Sequence, residues 1–243
     1  MAANHAVGIT SGKDMATFYR GITLDPATAA ADKAAIWETG LLATKAFWGN
    51  TRSSPEEVRR LTPQIAAAPS KVRETIRALP QEPMTYACAY FDDAARYATR
   101  KEGLPVVITI DLPLEEVAID GKDFLYTVFQ LWDRRDRQHL PEVREILGRI
   151  FGAATVAWFD RAASNTDTMA RIGLCDLAVH DLAAITAHHA NEIGLAGRYG
   201  TLFRSAFDLP AKVDPTAILA VDNVAGPIST PKRKINLHSL ISA

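Results

Sequence analysis

The chain has 243 residues, with 27 Lys and Arg against 28 Asp and Glu, so its formal net charge is −1. A nearly neutral chain has no global electrostatic attraction for nucleic acid or for an anionic membrane surface, which argues against both as charge-driven partners. Hydrophobic residues make up 48% of the chain and charged residues 23%. This composition is typical of a globular protein that buries a full core without metals or disulfides.

The cysteines and the first residues bear on location. Cys88 and Cys175 form no CxxC pair, and we expect both as buried thiols of a reducing compartment. The residues after Met1 lack the basic and apolar regions of a secretory signal, and no apolar run is long enough to span a bilayer. We therefore expect no membrane partner and a cytoplasmic location, in the producing cell or in a cell into which the protein is delivered.

The first predicted element is a strand over residues 15–22, which is rich in aromatic and β-branched residues. It contains the run Phe18-Tyr19-Arg20-Gly21, in which an arginine stands between an aromatic pair and a glycine. An arginine fork can bind an anionic ligand, and a glycine beside it lets backbone approach that ligand closely. The plain alternative is an ordinary arginine at the end of a strand.

A helix is predicted next, with Asp25 as N-cap, Pro26 in the first helical position and Gly40 at its end. Two short helices are predicted between residues 54 and 80, with no residues that suggest chemistry.

A strand, a helix and a second strand are predicted over residues 84–113. The first strand covers 84–89, the helix starts near Phe91 with an aspartate as N-cap and is closed by Gly103, and the second strand covers 106–113. Thr85 and Tyr86 lie at the beginning of this block.

The following segment contains two aspartates. Asp120-Gly121 is typical of a turn, and Asp123 directly precedes a predicted strand over residues 124–129. Residues 131–180 are expected to form a helical insertion. A capped helix then runs from Asp181 to Gly194, and two strands are predicted over 198–207 and 213–221.

The ordered blocks around Phe18-Tyr19-Arg20-Gly21, Thr85-Tyr86 and Phe91-Asp92-Asp93-Ala94-Ala95, with the strand ending in Pro113, resemble the ADP-ribosyltransferase superfamily. The toxin-like and rifampin-modifying branches have a similar second block. The resemblance covers residues 15–125. It implies an α+β fold with a split mixed or antiparallel sheet core and surrounding and inserted helices. We expect one such domain over residues 1–243, with the helical insertion at about 131–180.

The resemblance also implies an activity, namely a mono-ADP-ribosyltransferase that takes NAD as its substrate. Such an enzyme cleaves the nicotinamide–ribose bond and transfers ADP-ribose to an acceptor. On this interpretation Arg20 and Gly21 hold the nucleotide, Thr85 and Tyr86 shape the nicotinamide pocket, and Tyr90 lies nearby. The acceptor is a protein, a nucleic acid or a small molecule, and the toxin-like branch implies a cognate inhibitor or antitoxin as a further partner.

The reaction needs a carboxylate, because bond cleavage builds positive charge on the ribose. The family's usual Glu-x-Glu is not evident in this chain. Three residues are candidates instead: Asp120, Asp123 and Glu192. The plain alternatives are a turn residue for Asp120 and a strand-start cap for Asp123.

Other functions remain open at this point. His188, His189 and Glu192 share a predicted helix, but no HExxH pattern is present, and we predict no metal site. The alternatives to the transferase are an NAD glycohydrolase, an RNA 2′-phosphotransferase-like enzyme, and a degenerate protein that binds NAD without catalysis.

Overall fold

The protein is described here from a computed structural model that covers residues 14–43, 85–120, 125, 128–129, 140–166, 168–196 and 202–236. In chain order the helices and strands are β1 (Met15–Leu24), α1 (Ala29–Thr39), β2 (Leu41–Leu42), β3 (Thr85–Ala87), α2 (Phe91–Ala98), β4 (Leu104–Pro113), β5 (Ala118–Ile119), α3 (Leu140–Ala163), α4 (Thr168–Val179), α5 (Leu182–His189), β6 (Gly194–Ala196), β7 (Leu202–Phe203), β8 (Phe207–Leu209), β9 (Lys212–Val213), β10 (Ile218–Asn223) and β11 (Lys234–Asn236). Single 3₁₀ turns at Leu114–Glu116 and Pro215–Ala217 precede β5 and β10. Among these residues no helix is long and apolar enough to cross a membrane.

Six of the strands form two antiparallel sheets of three strands each. The first sheet has the order β1-β4-β10, and the second has the order β3-β8-β5. Two smaller assemblies flank them: the pair β2-β9, and the sheet β11-β6-β7, in which β11 and β6 are parallel. The mixture of helices with small, mostly antiparallel sheets confirms the α+β prediction.

The two main sheets meet near the middle of β1, at Phe18 and Tyr19. Tyr19 and Cys88 exchange backbone hydrogen bonds of 2.7 and 2.9 Å, which tie β1 to the residue after β3. On the other face of β1 the fully buried Phe18 ring meets Phe207 of β8 edge-on, with ring centroids 5.2 Å apart. One buried aromatic contact thus joins the two sheets.

Helix α2 lies directly against β1, and Gly21 makes this close approach possible. A Cβ at Gly21 would stand 1.9 Å from the carbonyl oxygen of Ala94 and 3.2 Å from the Ala98 nitrogen. Thr23 donates from its hydroxyl to the Ala98 carbonyl at 2.6 Å. The alanine-rich inner face of α2 therefore packs backbone to backbone on the strand.

Helix α3 packs against α4 and α5 in a helical layer on the second side of the core. Within the expected insertion at about 131–180, residues 140–163 and 168–179 are helical; residues 131–139 lie outside the described part of the chain. Helix α3 is broken at Gly152, whose φ of 80° is left-handed. A Cβ there would also stand 2.6 Å from the Ala187 Cβ of α5, so glycine serves both the break and the contact.

Several predicted boundaries are confirmed and others are wrong. Gly40 ends α1 with a φ of 73°, and Asp181 caps α5 by accepting from the Ala183 and Ala184 amides. Asp25 does not cap α1, because its carboxylate binds the Ala27 amide in a turn and the helix begins later, after Thr28.

Two other boundaries need correction. Helix α2 begins at Phe91 after Tyr90, so the aspartates lie in its first turn and neither is the N-cap. Helix α5 ends at His189, and Gly194 begins β6.

The strand predicted over residues 124–129 is wrong where the structure describes it. Residues 125, 128 and 129 are helical, and Leu125 and Phe129 are fully buried. Apolar residues four apart share a face in both a strand and a helix, so a short run of this kind fits both periods. The predicted helices between 54 and 80 lie outside the described residues.

Candidate functional site

Arg20 brings the two predicted ligand-binding blocks together. Its Nη1 donates to the carbonyl oxygen of Tyr86 at 2.8 Å, across 66 positions of sequence. Burial lowers the pKa of the Arg20 guanidinium, and the nearby Tyr97 partly offsets that effect. An arginine pKa begins so high that the group stays charged. A cation is therefore held, partly buried, where β1 and β3 separate.

The backbone of Gly21 faces the same place. Backbone groups of alternate residues in a paired strand point to the same side. Tyr19 turns its N–H and C=O toward β3 and bonds Cys88, so Gly21, two residues on, turns its N–H and C=O to that side as well. Gly21 is predicted to let backbone approach a ligand. It also has a structural role, because the absence of a side chain lets α2 pack directly against β1.

Tyr86 and two carboxylates share one face of the second sheet. Asp208 of the central strand β8 lies directly opposite Tyr86 on one side and Ala118 on the other. The Asp120 amide continues this pairing by donating to the Ala206 carbonyl at 2.9 Å. Directly opposed residues point to the same face, with Cβ atoms about 5 Å apart. We call the face that carries Tyr86, Ala118, Asp120 and Asp208 the Tyr86 face.

Exposure differs sharply along the Tyr86 face. The Tyr86 side chain is 38% exposed, whereas Asp208 is 3% exposed. Asp120 is half-buried. Thr85 points to the opposite face of the sheet and is 2% exposed, beside the core. Tyr86 therefore shares a face of the sheet with Asp120 and Asp208, whereas Thr85 packs on the opposite, buried face.

The other predicted site residues lie apart from the Tyr86 face. Asp123 lies outside the described residues. Glu192 is exposed in the connection between α5 and β6. It is close enough to Tyr90 to raise the pKa of the Tyr90 phenol, although burial is the larger cause of that rise. The structure therefore brings Arg20 and Gly21 of β1 close to Tyr86 of β3. Asp120 lies on the same face of the second sheet as Tyr86, and Glu192 and Tyr90 form a second group.

That second group is built around a fully buried carboxylate, Asp93. The Arg204 guanidinium binds Asp93 through Nε at 3.2 Å and Nη2 at 3.1 Å, and Arg96 Nη1 binds it at 3.2 Å. The Arg204 guanidinium also lies 3.8 Å from the centroid of the Tyr90 ring. One face of Tyr90 is thus already covered by a cation of the protein itself.

Neither Asp208 nor Asp93 was predicted from the sequence as a site residue. The alternation Phe207-Asp208-Leu209 was a usable signal, because it places the aspartate on the opposite face of a strand from two buried apolar residues. Asp93 gave no such signal. Arg96 is three residues away, but Arg204 is distant in the sequence, and only the tertiary structure brings it to Asp93.

The histidines of α5 are occupied by structural contacts. His188 Nδ1 lies 3.1 Å from the Ile150 carbonyl oxygen, which can only accept, so this nitrogen carries the proton. Its Nε2 accepts from the Ala206 amide at 3.1 Å. Burial lowers the pKa of His188 to about 4, which keeps the ring neutral. Within the described ranges no group of three or more His, Cys, Asp or Glu side chains is arranged to hold a metal ion.

Comparison with known proteins adds no assignment: no protein-family model, no curated protein and no solved structure matches the chain.

Proposed function

We propose that the protein is an NAD-dependent mono-ADP-ribosyltransferase whose ligand site lies between β1 and β3. The observation that carries the proposal is the Arg20–Tyr86 hydrogen bond. It joins the two sequence blocks on which the resemblance depends, at a point where a partly buried cation lies beside strand backbone. The α+β core with small, mostly antiparallel sheets agrees with the fold class that the resemblance implies, and this agreement supports the proposal.

Arg20 has the role of binding the anionic part of NAD. Its fork has further donors beyond the one given to Tyr86, and an arginine fork suits phosphate and ribose oxygens. The N–H and C=O of Gly21 offer a donor and an acceptor to an amide such as the nicotinamide carboxamide. Tyr86, which is part-exposed, offers an aromatic surface to a ring that is cationic before it leaves.

The carboxylate role goes to Asp208, with Asp120 as the second candidate. When the bond between ribose C1′ and the nicotinamide nitrogen breaks, its electron pair leaves with nicotinamide and a cation remains on the ribose. A carboxylate shielded from water stabilises such a cation more strongly than an exposed one. Asp208 is more deeply buried than Asp120 and lies directly across from Tyr86. An acceptor nucleophile then bonds to C1′ and loses its proton.

The first experiment measures nicotinamide release from NAD by the purified chain, with and without protein, nucleic acid and small-molecule acceptors, together with NAD binding by calorimetry. We expect release that depends on an acceptor. Release without any acceptor would mean a glycohydrolase, and tight binding without release would mean a non-catalytic NAD-binding protein. Neither release nor binding would overturn the proposal.

A second experiment assigns the roles. Asp208→Asn is expected to lower kcat by about 100-fold or more with NAD affinity nearly kept, because a fixed charge that acts on the transition state is removed. Arg20→Lys is expected to weaken NAD binding about 10-fold, because the fork is lost and the charge is kept. Asp160→Asn and Arg149→Lys, in exposed ion pairs on α3, are the matched controls.

The same series separates the candidate carboxylates. A loss with Asp120→Asn or Glu192→Gln, and none with Asp208→Asn, would move the role to that residue. If these three variants and Asp123→Asn all kept wild-type turnover, a carboxylate mechanism would be excluded for the four residues and the RNA 2′-phosphotransferase-like alternative would be favoured.

A further inference from the structure

The segment that leads into β8 is held by three side chains and one backbone amide from other parts of the chain. We call this segment, Arg204 to Ala206, the β8 lead-in. Its polar contacts are as follows: the Arg204 amide donates to Asp93 Oδ2 at 2.7 Å, the Arg204 carbonyl accepts from Asn191 Nδ2, Ser205 Oγ accepts from the Ala89 amide at 3.1 Å, and the Ala206 amide donates to His188 Nε2 at 3.1 Å. Each residue of the lead-in is thus fixed individually.

Asp93 makes the largest contribution to this arrangement. Both of its oxygens are used, and it is fully buried. It binds the Arg204 backbone and the Arg204 guanidinium, so it fixes both the position of the chain and the direction of the side chain. Hydrogen bonds between ionised partners are about twice as strong as neutral ones.

Arg96 extends the hold of Asp93 to the other end of the connection. Arg96 Nη1 binds Asp93 and also donates to the Leu202 carbonyl at 2.8 Å. Arg96 Nη2 donates to the Ser229 carbonyl at 2.6 Å. The connection from β7 to β8 is therefore fastened to α2 at both of its ends, by Asp93 in the first turn of the helix and by Arg96 in the last turn. The first turn follows Tyr90, which lies beneath the Arg204 guanidinium.

The position of the lead-in sets the position of Asp208. Phe207 follows it and is locked into the core against Phe18, and Asp208 comes next, opposite Tyr86. A shift of the lead-in along the strand would carry the Asp208 carboxylate with it. A misplacement of about 1 Å can cost about 100-fold in rate even when its cause lies away from the chemistry.

We propose that Asp93 is a positioning residue, which holds the β8 lead-in through Arg204 and thereby sets where the Asp208 carboxylate stands relative to Tyr86 and Arg20. This inference rests on the proposed function for its consequence in catalysis. Its structural part, the restraint of Arg204 to Ala206, does not.

The test compares Asp93→Asn with Asp160→Asn, which removes the carboxylate of an exposed Asp–Arg pair on α3. For Asp93→Asn we expect kcat for nicotinamide release to fall about 10- to 100-fold with the KM for NAD within about 2-fold. We also expect the Arg204 and Ala206 amides to exchange their hydrogens at least 10-fold faster, as measured by NMR. Asp160→Asn should change neither quantity.

A milder variant keeps the test decisive if Asp93→Asn does not fold. Arg204→Lys retains the amide bond to Asp93 and the positive charge but loses the fork, and we expect a fall in kcat of about 3- to 10-fold with faster exchange of the Ala206 amide.

Wild-type kcat in both variants, or unchanged hydrogen exchange of both amides, would overturn the positioning role of Asp93. The proposed function would remain intact in that case, provided that the wild type releases nicotinamide. If the wild type releases no nicotinamide, the proposed function fails, and unchanged or faster exchange then decides the restraint by itself.

Discussion

Burial lowers the pKa of two basic side chains, with opposite consequences for their charge. The pKa of Arg20 begins so high that the guanidinium remains a cation after the decrease. His188, which begins at 6.5, falls to about 4 and is neutral at pH 7. Desolvation thus leaves Arg20 charged beside Tyr86, because its pKa begins so high, and leaves His188 neutral beneath β8. A partly buried cation suits the binding of an anion, whereas a neutral imidazole suits a fixed pair of structural hydrogen bonds.

The lowered pKa of His188 predicts a loss of stability in acid. Between about pH 6.5 and about 4 the unfolded state binds a proton at this histidine and the folded state does not, so the free energy of unfolding falls as the pH is lowered through this window. The contribution is about 3 kcal/mol, present above the window and lost below it. We expect the difference in unfolding free energy between pH 7 and pH 4 to be smaller in His188→Gln than in the wild type, as measured by urea denaturation.

Parallel pH curves for the two proteins would contradict this prediction. An NMR titration of the wild-type ring gives a second measurement if the variant does not fold. The His188 resonances should not begin to shift until the pH approaches 4, and a midpoint near 6.5 would also contradict it.

The close backbone contact between β1 and α2 requires a glycine at position 21. Its register with Val107 in the first sheet is regular, so the constraint there is steric, from the Ala94 carbonyl of α2. The interaction lets α2 lie against β1 while α2 also carries Asp93 toward the β8 lead-in. One small residue therefore connects the packing of a helix with the geometry of the candidate site.

Gly21→Ala is expected to destabilise the protein by about 2–3 kcal/mol or more, because the added methyl group requires α2 to move away from β1. Gly148→Ala is the matched control. It lies in α3, where its nearest neighbour is the Val156 Cγ2 at 3.4 Å, and alanine in a helix is better than glycine by about 0.5–1 kcal/mol. Thermal and urea unfolding of both variants measures the contrast, and equal effects would refute the steric explanation.

Two aspartates predicted as helix caps provide a second comparison. Asp181 accepts from two amides of α5 and from Trp158 Nε1 at 2.9 Å, whereas Asp25 accepts from the amide of Ala27 outside α1. We expect Asp181→Ala to lower the unfolding free energy by about 1–2 kcal/mol, and Asp25→Ala to lower it by clearly less. A larger loss for Asp25→Ala in chemical denaturation would contradict the assignment of the caps.

The two main sheets depend on each other through Phe18. Its ring meets Phe207 of the second sheet and His189 of α5, each at a centroid distance of 5.2 Å. His189 in turn lies 3.0 Å from the Thr17 carbonyl through its Nε2. The first sheet, the second sheet and the helical layer thus converge on one side chain, which is two positions before Arg20.

Phe18→Ala is expected to cost about 3–5 kcal/mol, the range for removing a fully buried phenylalanine. Because the contact joins both sheets, we expect circular dichroism and tryptophan fluorescence to report one shared, lowered transition. Phe91→Ala, at a ring that is 37% exposed, is the control and should cost much less. Two separate transitions in Phe18→Ala would show that the sheets fold independently.

Local signals in the sequence were sufficient for several parts of the fold. Strand β1, the end of α1 at Gly40, the cap at Asp181 and the helices between 140 and 179 follow from patterns that depend on neighbours a few residues away. The run over residues 124–129 failed because its apolar spacing satisfies helix and strand alike, and the core selects between them. The start of α1 and the N-cap of α2 were wrong because an aspartate near a helix start can accept from a turn or bind a distant arginine instead.

For the candidate site, the sequence identified residue types and the tertiary structure determined which of them meet. The sequence marked Arg20, Gly21 and Tyr86, and pointed to NAD chemistry through a resemblance that stays a prediction. It did not identify the proposed catalytic carboxylate. Strand register and sheet order place Asp208 opposite Tyr86, and both are set by long-range pairing that local patterns do not reveal. Asp93, Arg204 and Tyr90 likewise come together only through the packing of α2 against β1 and the β8 lead-in. Short-range patterns specify elements, but the faces that meet depend on burial of the common core.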